Sequence, residues 1–299
     1  MPKIWRPVDL KEAWEIQNEL GLGNYCYVAG GTWLRTQWEA NLCSMSLNLI
    51  SLENVSEMTE IQEQVSNGKH EIMIGSSVSL YRCLKSTLLN QYFPPLVAAC
   101  KKIAAPSIRN QATIGGNIYT TAGDTIPSLL IVKAELLWFN GVDIVAEPLE
   151  QWLITLQANQ FKRDNRILVG LKMATEEDVK GAFLFFTKVG RRETFTSSLV
   201  SVAGKGTLTS AGFFQNVTLA AGGGGYPIRL SEAELELENQ CFSPTLFQQI
   251  YKSIVVEFQA TADPFASADY KKAVAANLIT SELYKISGQP GGEQRVVGS

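Results

Sequence analysis

Apolar and polar positions alternate along this chain with periods that change several times. After Asp9, the apolar residues Leu10, Ala13, Trp14, Ile16 and Leu20 recur at helical spacing. They predict a helix over 8–20, capped by Asp9 and stopped at Gly21 to Gly23. Tyr25–Ala29 is a short β-type run that leads into Gly30-Gly31-Thr32-Trp33-Leu34, where a second helix is expected to begin. A strand follows at Met45–Leu49, so 1–55 reads as a small strand–helix–strand unit. Further on, the pattern predicts a strand at Glu71–Ile74 and helices at Ser79–Leu89, Pro95–Ile103 and Pro127–Lys133. Strands are then expected at Glu135–Asn140, Val142–Ala146 and Arg166–Met173.

The polar stretch ATEEDV at Ala174–Val179 marks a domain boundary. Beyond it, Ala182–Lys188, Leu199–Gly204 and Asn216–Ala221 read as an antiparallel meander. Gly222–Gly225 reads as a flexible connection. Helices are predicted at Ser231–Leu237, Pro244–Val256 and Ser267–Lys285. The glutamates of Glu232–Glu238 are expected on one solvated helix face. From Gly288 the chain turns Gly-rich and polar, as a frayed tail does.

Composition narrows the chemistry. The 299 residues are 45% apolar, enough for two cored domains, and the net charge of −3 argues against a nucleic-acid partner. No run of 18 apolar residues predicts a membrane span, and MPKIWRPVDL does not resemble a signal peptide. Cys26, Cys43, Cys83, Cys100 and Cys241 are scattered, with no CxxC. That pattern speaks against an iron–sulfur or zinc site in this chain and suits a reducing cytoplasm. His70, the single histidine, sits in the polar turn SNGKHE, so histidine-based catalysis and metal binding are not expected.

The candidate chemistry lies in Ala104–Asp124, AAPSIRNQATIGGNIYTTAGD, which reads as a loop. Gly115-Gly116 lets a ligand approach the backbone, and successive amides in such a turn can surround an anion. Thr113 and Asn117 can donate hydrogen bonds, and Asp124 can accept from sugar-type hydroxyls. These residues suit a phosphorylated, hydroxylated ligand; a plain glycine turn is the alternative. Gly30-Gly31, after a strand and before a helix, has the context of an anion site but is not the GxGxxG fingerprint, and a structural turn is the alternative that its residues alone favour.

Five stretches stand together in one order: VAGGTWL (Val28–Leu34), SIRNQATIGGN (Ser107–Asn117), Gly123-Asp124, FTKVGRRE (Phe186–Glu193) and ASADYKK (Ala266–Lys272). Through them the chain resembles, from about Trp5 to Ile286, the FAD-binding medium subunit of the molybdenum hydroxylases. That family includes xanthine dehydrogenase and the aerobic carbon monoxide dehydrogenase. The resemblance implies an α+β protein. Two α/β subdomains, about 1–55 and 56–175, would form an FAD-binding domain over 1–175. A domain of antiparallel strands and helices would follow over 180–287, then the tail 288–299.

It also implies roles. Val28, Ala29, Gly30, Gly31, Thr32, Trp33 and Leu34 would wrap the FAD diphosphate with backbone amides. Thr113, Gly116 and Asn117 would do so from the other side, with Gly115 and Thr120 also among the cofactor-binding positions. Ile103, Ala104 and Ala112 would line the flavin or adenosine surroundings. Asp124 would accept from the ribityl chain, and Leu168 and Lys188 would lie near one end of the cofactor. No side chain would act as catalytic acid, base or nucleophile, because the flavin carries the chemistry. Molybdenum cofactor and 2Fe-2S clusters are implied only in partners, a large molybdenum subunit and an iron–sulfur subunit. A dimer of heterotrimers is the implied assembly, with NAD+ a possible acceptor. This chain departs from the family in a shorter IYTTAG segment and in Trp33, where a smaller or polar residue is common. A free-standing flavin oxidoreductase and a degenerate scaffold subunit are the alternative readings.

Overall fold

The computed structural model describes residues 2–66, 68–158, 165–176, 179–190 and 198–288. Glu177 and Asp178 of the boundary stretch, Arg191 to Glu193 of FTKVGRRE, and the tail beyond 288 lie outside the described residues. The chain begins β1 (Lys3–Trp5), α1 (Leu10–Leu20), β2 (Cys26–Val28), α2 (Thr32–Glu39), β3 (Asn48–Ser51), β4 (Ile61–Ser66) and β5 (Lys69–Gly75). A run of short helices follows: α3 (Leu80–Lys85), α4 (Thr87–Tyr92), α5 (Pro94–Lys102), α6 (Pro106–Gln111), α7 (Ile114–Tyr119) and α8 (Ile126–Leu130). Then come β6 (Glu135–Phe139), β7 (Ile144–Pro148), α9 (Leu149–Ala158), β8 (Ile167–Ala174), β9 (Ala182–Gly190), β10 (Ser198–Leu208), β11 (Phe214–Gly222) and β12 (Ile228–Arg229). The helices α10 (Ser231–Leu237), α11 (Pro244–Glu257) and α12 (Ala268–Ser287) close the described chain. No helix among the described residues is long and apolar enough to cross a membrane.

Two compact units form. The first holds the described residues of 1–88, 105–120 and 134–175. Its small sheet is parallel, ordered β1-β3-β2, as a strand–helix–strand pattern dictates. The helix α1 starts where the Asp9 carboxylate accepts the Glu12 N–H at 2.8 Å, while Glu12 reaches back to the Val8 N–H at 2.7 Å. Its apolar face, Leu10 and Ala13, packs with Tyr25, Ile50, Phe139 and Val169. The larger sheet is antiparallel, ordered β4-β5-β8-β6-β7. Its central strand β8 is buried from Ile167 to Leu171, a position that demands the unbroken apolar run ILVGL.

The second unit holds 89–104, 121–133 and the described residues from 176 onward. Its antiparallel sheet, β12-β11-β10-β9, has two dissimilar faces. One carries Phe183, Phe185, Val200, Val202 and Leu219 against the closing helices. The other alternates with it and carries small buried residues: Ser201, Ala203, Thr218 and Ala220. The small side chains of β10 and β11 admit α8, while α5 packs on β9, which places Phe186 and Lys188 on the same face.

Several expectations are corrected. Ala104–Asp124 is not a loop: most of it is α6 and α7, joined by a short link at Ala112-Thr113. The predicted helix Ser79–Leu89 is broken at Ser86, whose backbone is extended (φ −68, ψ 122). The strand β4 and the helix α9 were not foreseen, because IQEQVS carries few apolar residues and LEQWLITLQA follows a strand without a turn signal. The Glu232–Glu238 face is not uniformly solvated. Glu234 is buried, accepts the Leu219 N–H at 2.9 Å and pairs with Arg229 at 2.5 Å. The glycines after β11 are packed rather than free: a Cβ on Gly223 would meet the Leu199 carbonyl oxygen at 2.2 Å.

Candidate functional site

The glycine pairs Gly30-Gly31 and Gly115-Gly116 both lie in the first unit, and they do different work. The first follows β2, whose last residue Val28 pairs with Ser51. Gly31 adopts φ +64, a left-handed conformation that favours glycine, and serves as the N-cap of α2. Having no side chain, it makes no capping hydrogen bond. The first bond closing the helix runs from the Arg35 N–H to the Gly31 carbonyl at 2.9 Å. The amides of Thr32, Trp33 and Leu34 therefore form an uncapped first turn, and among the described residues none of them has a protein acceptor. Such a turn presents three donors and the positive end of the helix dipole. Trp33 stands at its edge, half exposed.

The second pair, Gly115-Gly116, is inside the first turn of α7, and its amides are already committed. Ile114 N–H donates to the Val78 carbonyl and Gly115 N–H to the Ser76 carbonyl, both at 2.9 Å. Gly116 N–H donates to Thr113 Oγ1 at 3.0 Å, an N-cap, and Asn117 N–H to the Thr113 carbonyl at 3.0 Å. Amide binding of phosphate, expected of Gly116 and Asn117 from the sequence, is thus replaced here by bonds within the protein. What this turn can offer a ligand is side chains, those of Thr113 and Asn117, and the close backbone approach that two glycines permit. Thr120, at the end of α7, turns its hydroxyl to the Asn117 carbonyl at 2.7 Å.

The two turns touch. A Cβ placed on Gly30 would lie 1.8 Å from the Gln111 carbonyl oxygen and 3.1 Å from the Ala112 nitrogen. Only glycine fits there. Val28–Leu34, Ala112–Asn117 and Thr120 thus belong to one region of the first unit. Leu168 belongs to the same unit, buried on β8 opposite Trp138.

Behind the first turn, the Tyr25 and Tyr27 hydroxyls both donate to Gln17 Oε1 at 2.8 Å. The Gln17 amide nitrogen donates to the Asn165 carbonyl at 3.0 Å. Burial, then the neighbouring phenols of Tyr25 and Tyr119, push the Tyr27 hydroxyl above the usual tyrosine range. Tyr27 is therefore a fixed hydrogen-bond donor at neutral pH, not a proton carrier. This network ties β2 to α1 just ahead of the glycine turn.

Ile103, Ala104, Asp124 and Lys188 fall in the second unit. Lys188 Nζ lies 2.6 Å from Asp124 Oδ2 and 3.1 Å from the Lys102 carbonyl, and its side chain is 3% exposed. Ser198 Oγ donates to the other oxygen, Asp124 Oδ1. Ile103 and Ala104 end α5 beside Lys102, with Ala104 at φ +44. Asp124 thus compensates a buried ammonium. Sequence reasoning missed Ser198, Ser76, Val78 and Gln111. Nothing in SSVSL or in a lone serine announces such bonds.

Residues 1–173 match the family described as the FAD binding domain in molybdopterin dehydrogenase, and 185–286 match the CO dehydrogenase flavoprotein C-terminal domain. The chain is 24% identical over 251 residues to the xanthine dehydrogenase FAD-binding subunit of Escherichia coli O157:H7, covering 82% of this chain and 83% of that one. It superposes on a chain of carbon monoxide dehydrogenase from Hydrogenophaga pseudoflava with TM-score 0.82 at 20% identity, over 94% of this chain and 95% of that one. For quinoline 2-oxidoreductase from Pseudomonas putida 86 the TM-score is 0.82 at 16% identity, over 98% and 99%. The chain belongs to the family of FAD-binding flavoprotein subunits of molybdopterin dehydrogenases.

Proposed function

We propose that this chain is the electron-transferring flavoprotein subunit of a heteromeric, cytoplasmic molybdenum hydroxylase of the xanthine dehydrogenase kind. One observation carries the placement of its cofactor: three uncapped amides at the start of α2, on a glycine turn that lies against the α6–α7 link. An anionic diphosphate suits that turn, because helix N-terminal amides offer donors that need not be stripped of a prior partner. Thr32, Trp33 and Leu34 would hold the phosphates, with Gly30 and Gly31 shaping the approach. Thr113 and Asn117 would contribute side-chain hydrogen bonds, while Gly115 and Gly116 keep the opposite wall close. For Ile103, Ala104, Asp124, Lys188 and Leu168, a part in holding the cofactor rests on the resemblance alone. Asp124 would keep its ion pair with Lys188 while accepting further bonds on its remaining lone pairs.

FAD held there would supply the redox chemistry between an iron–sulfur partner and NAD+ or another acceptor. The chain contributes binding, orientation and exclusion of water. Substrate oxidation belongs to a large molybdenum-cofactor subunit. The test is a visible absorption spectrum of the purified chain, before and after FAD is added and excess removed. Flavin bands at one equivalent, together with co-purification of an iron–sulfur and a molybdenum chain, are expected. A chain that takes up no flavin contradicts the reading.

A further inference from the structure

We infer that Ser76 is a positioning residue for the flavin site: from the strap Gly75–Leu80 it sets where the α6–α7 link stands opposite Gly30. The inference rests on the function proposed above. The strap runs between β5 and α3 and contributes no expected ligand contact. It nevertheless bonds the site from both sides. Toward the α6–α7 link, its Ser76 and Val78 carbonyls accept the Gly115 and Ile114 amides at 2.9 Å, and its Leu80 N–H donates to the Ala112 carbonyl at 2.8 Å. Toward the first glycine turn, Ser77 Oγ donates to the Leu52 carbonyl at 3.2 Å, and the Leu52 N–H donates to the Val28 carbonyl at 2.8 Å. The strap is itself anchored: the Ser76 N–H donates to the Val169 carbonyl at 2.8 Å, on the buried central strand β8.

Ser76 is where the strap meets α7 most closely. It is 6% exposed, and a Cβ on Gly115 would lie 2.5 Å from Ser76 Cβ and 2.7 Å from its carbonyl oxygen. Strap and α7 are therefore in contact with no space for one more methyl group. Interiors packed this closely pass a displacement on to their neighbours instead of absorbing it. A larger residue at position 76 displaces the start of α7, and with it Gln111 and Ala112, which abut Gly30. The serine's size, not its hydroxyl, sets the position.

The experiment compares FAD dissociation constants and flavin visible circular dichroism for the full chain and its variants, with urea stability measured on each. Ser76→Ala keeps the Cβ and is expected to bind FAD within about twofold of wild type. Ser76→Val and Gly115→Ala are each expected to weaken FAD at least about tenfold and to alter the flavin dichroism. Ser76→Gly combined with Gly115→Ala removes the closest of the clashing atoms and is expected to recover part of that loss. Ser76→Val binding FAD as wild type does, or Gly115→Ala showing no recovery from Ser76→Gly, overturns the inference. So does a loss in Ser76→Ala equal to that in Ser76→Val, since the hydroxyl would then be the active element. A wild-type chain that takes up no FAD fails the functional proposal instead, before any variant is compared.

Discussion

Gly30 and Gln111 are in backbone contact: an ideal Cβ on the glycine would fall 1.8 Å from the Gln111 carbonyl oxygen, well inside any van der Waals limit. A single methyl group must push the two turns apart. Gly30→Ala is expected to lower FAD affinity at least about tenfold, or about 1.4 kcal/mol. Overpacking should also remove about 1–3 kcal/mol of stability from the first unit. Fluorescence titration with FAD and urea unfolding separate the two effects.

Thr113 caps α7 by accepting the Gly116 N–H at 3.0 Å. Replacing it with alanine should cost about 1 kcal/mol of unfolding free energy, and serine should keep most of it. Equilibrium unfolding of the two variants checks the difference. The cap explains why a hydroxyl residue precedes a glycine pair even though the pair's amides point into the protein.

How much of this was legible beforehand differs between the two glycine motifs. Gly30-Gly31 followed a β-type run and preceded a helical pattern, so its place at a helix N-terminus could be read from its neighbours. Gly115-Gly116 looked like the same device. Its difference lies partly in Ser76 and Val78, almost forty residues earlier, whose carbonyls take the Gly115 and Ile114 amides, while Thr113 Oγ1 takes that of Gly116. A local pattern does not encode which distant strap will supply acceptors. The same limit applies to α5 and α8. Both helices were predicted, but not which sheet they cover, since a helical pattern does not say what its buried face packs against. Glu234 shows the converse: a glutamate among glutamates reads as solvated until the fold brings Arg229 and the Leu219 amide to it.

Asp124 and Lys188 form a buried pair, with side chains 11% and 3% exposed. Asp124→Asn leaves the ammonium without its counter-charge and is expected to destabilise the second unit by about 3–5 kcal/mol. Lys188→Met leaves the Asp124 carboxylate buried with only the Ser198 hydroxyl and should cost a comparable amount. Urea denaturation of both variants and of the double variant Asp124→Asn/Lys188→Met tests this: the double variant should be more stable than either single one, and a double variant that loses the sum of the two would speak against charge compensation as the cause.

Acid should act on the second unit through Asp263. The Lys271 ammonium at 2.5 Å, helped by the Phe265 and Ala266 N–H groups, holds the Asp263 carboxyl below its ordinary value of 3.8. A carboxylate with a depressed folded pKa adds stability that is fully present above its unfolded value and is lost as pH falls through the folded one. Stability of this unit should therefore carry the Asp263 contribution undiminished down to about pH 4 and lose it below. Protonation leaves Lys271 fully buried and uncompensated. Asp263→Asn is expected to remove that acid-dependent loss and to be less stable than wild type at pH 7. Urea unfolding between pH 2.5 and 7 reads both.

The central claim is that a diphosphate is met by the open amides of α2 and not by those of α7. Amide ¹H–¹⁵N spectra of the isotope-labelled full chain, recorded while FAD is added, test it most directly. The account predicts large downfield proton shifts at Thr32, Trp33 and Leu34, and much smaller ones at Ile114, Gly115 and Gly116, whose hydrogen bonds to Val78, Ser76 and Thr113 persist. Saturating FAD that leaves residues 32–34 unmoved, or moves 114–116 more strongly, would contradict it.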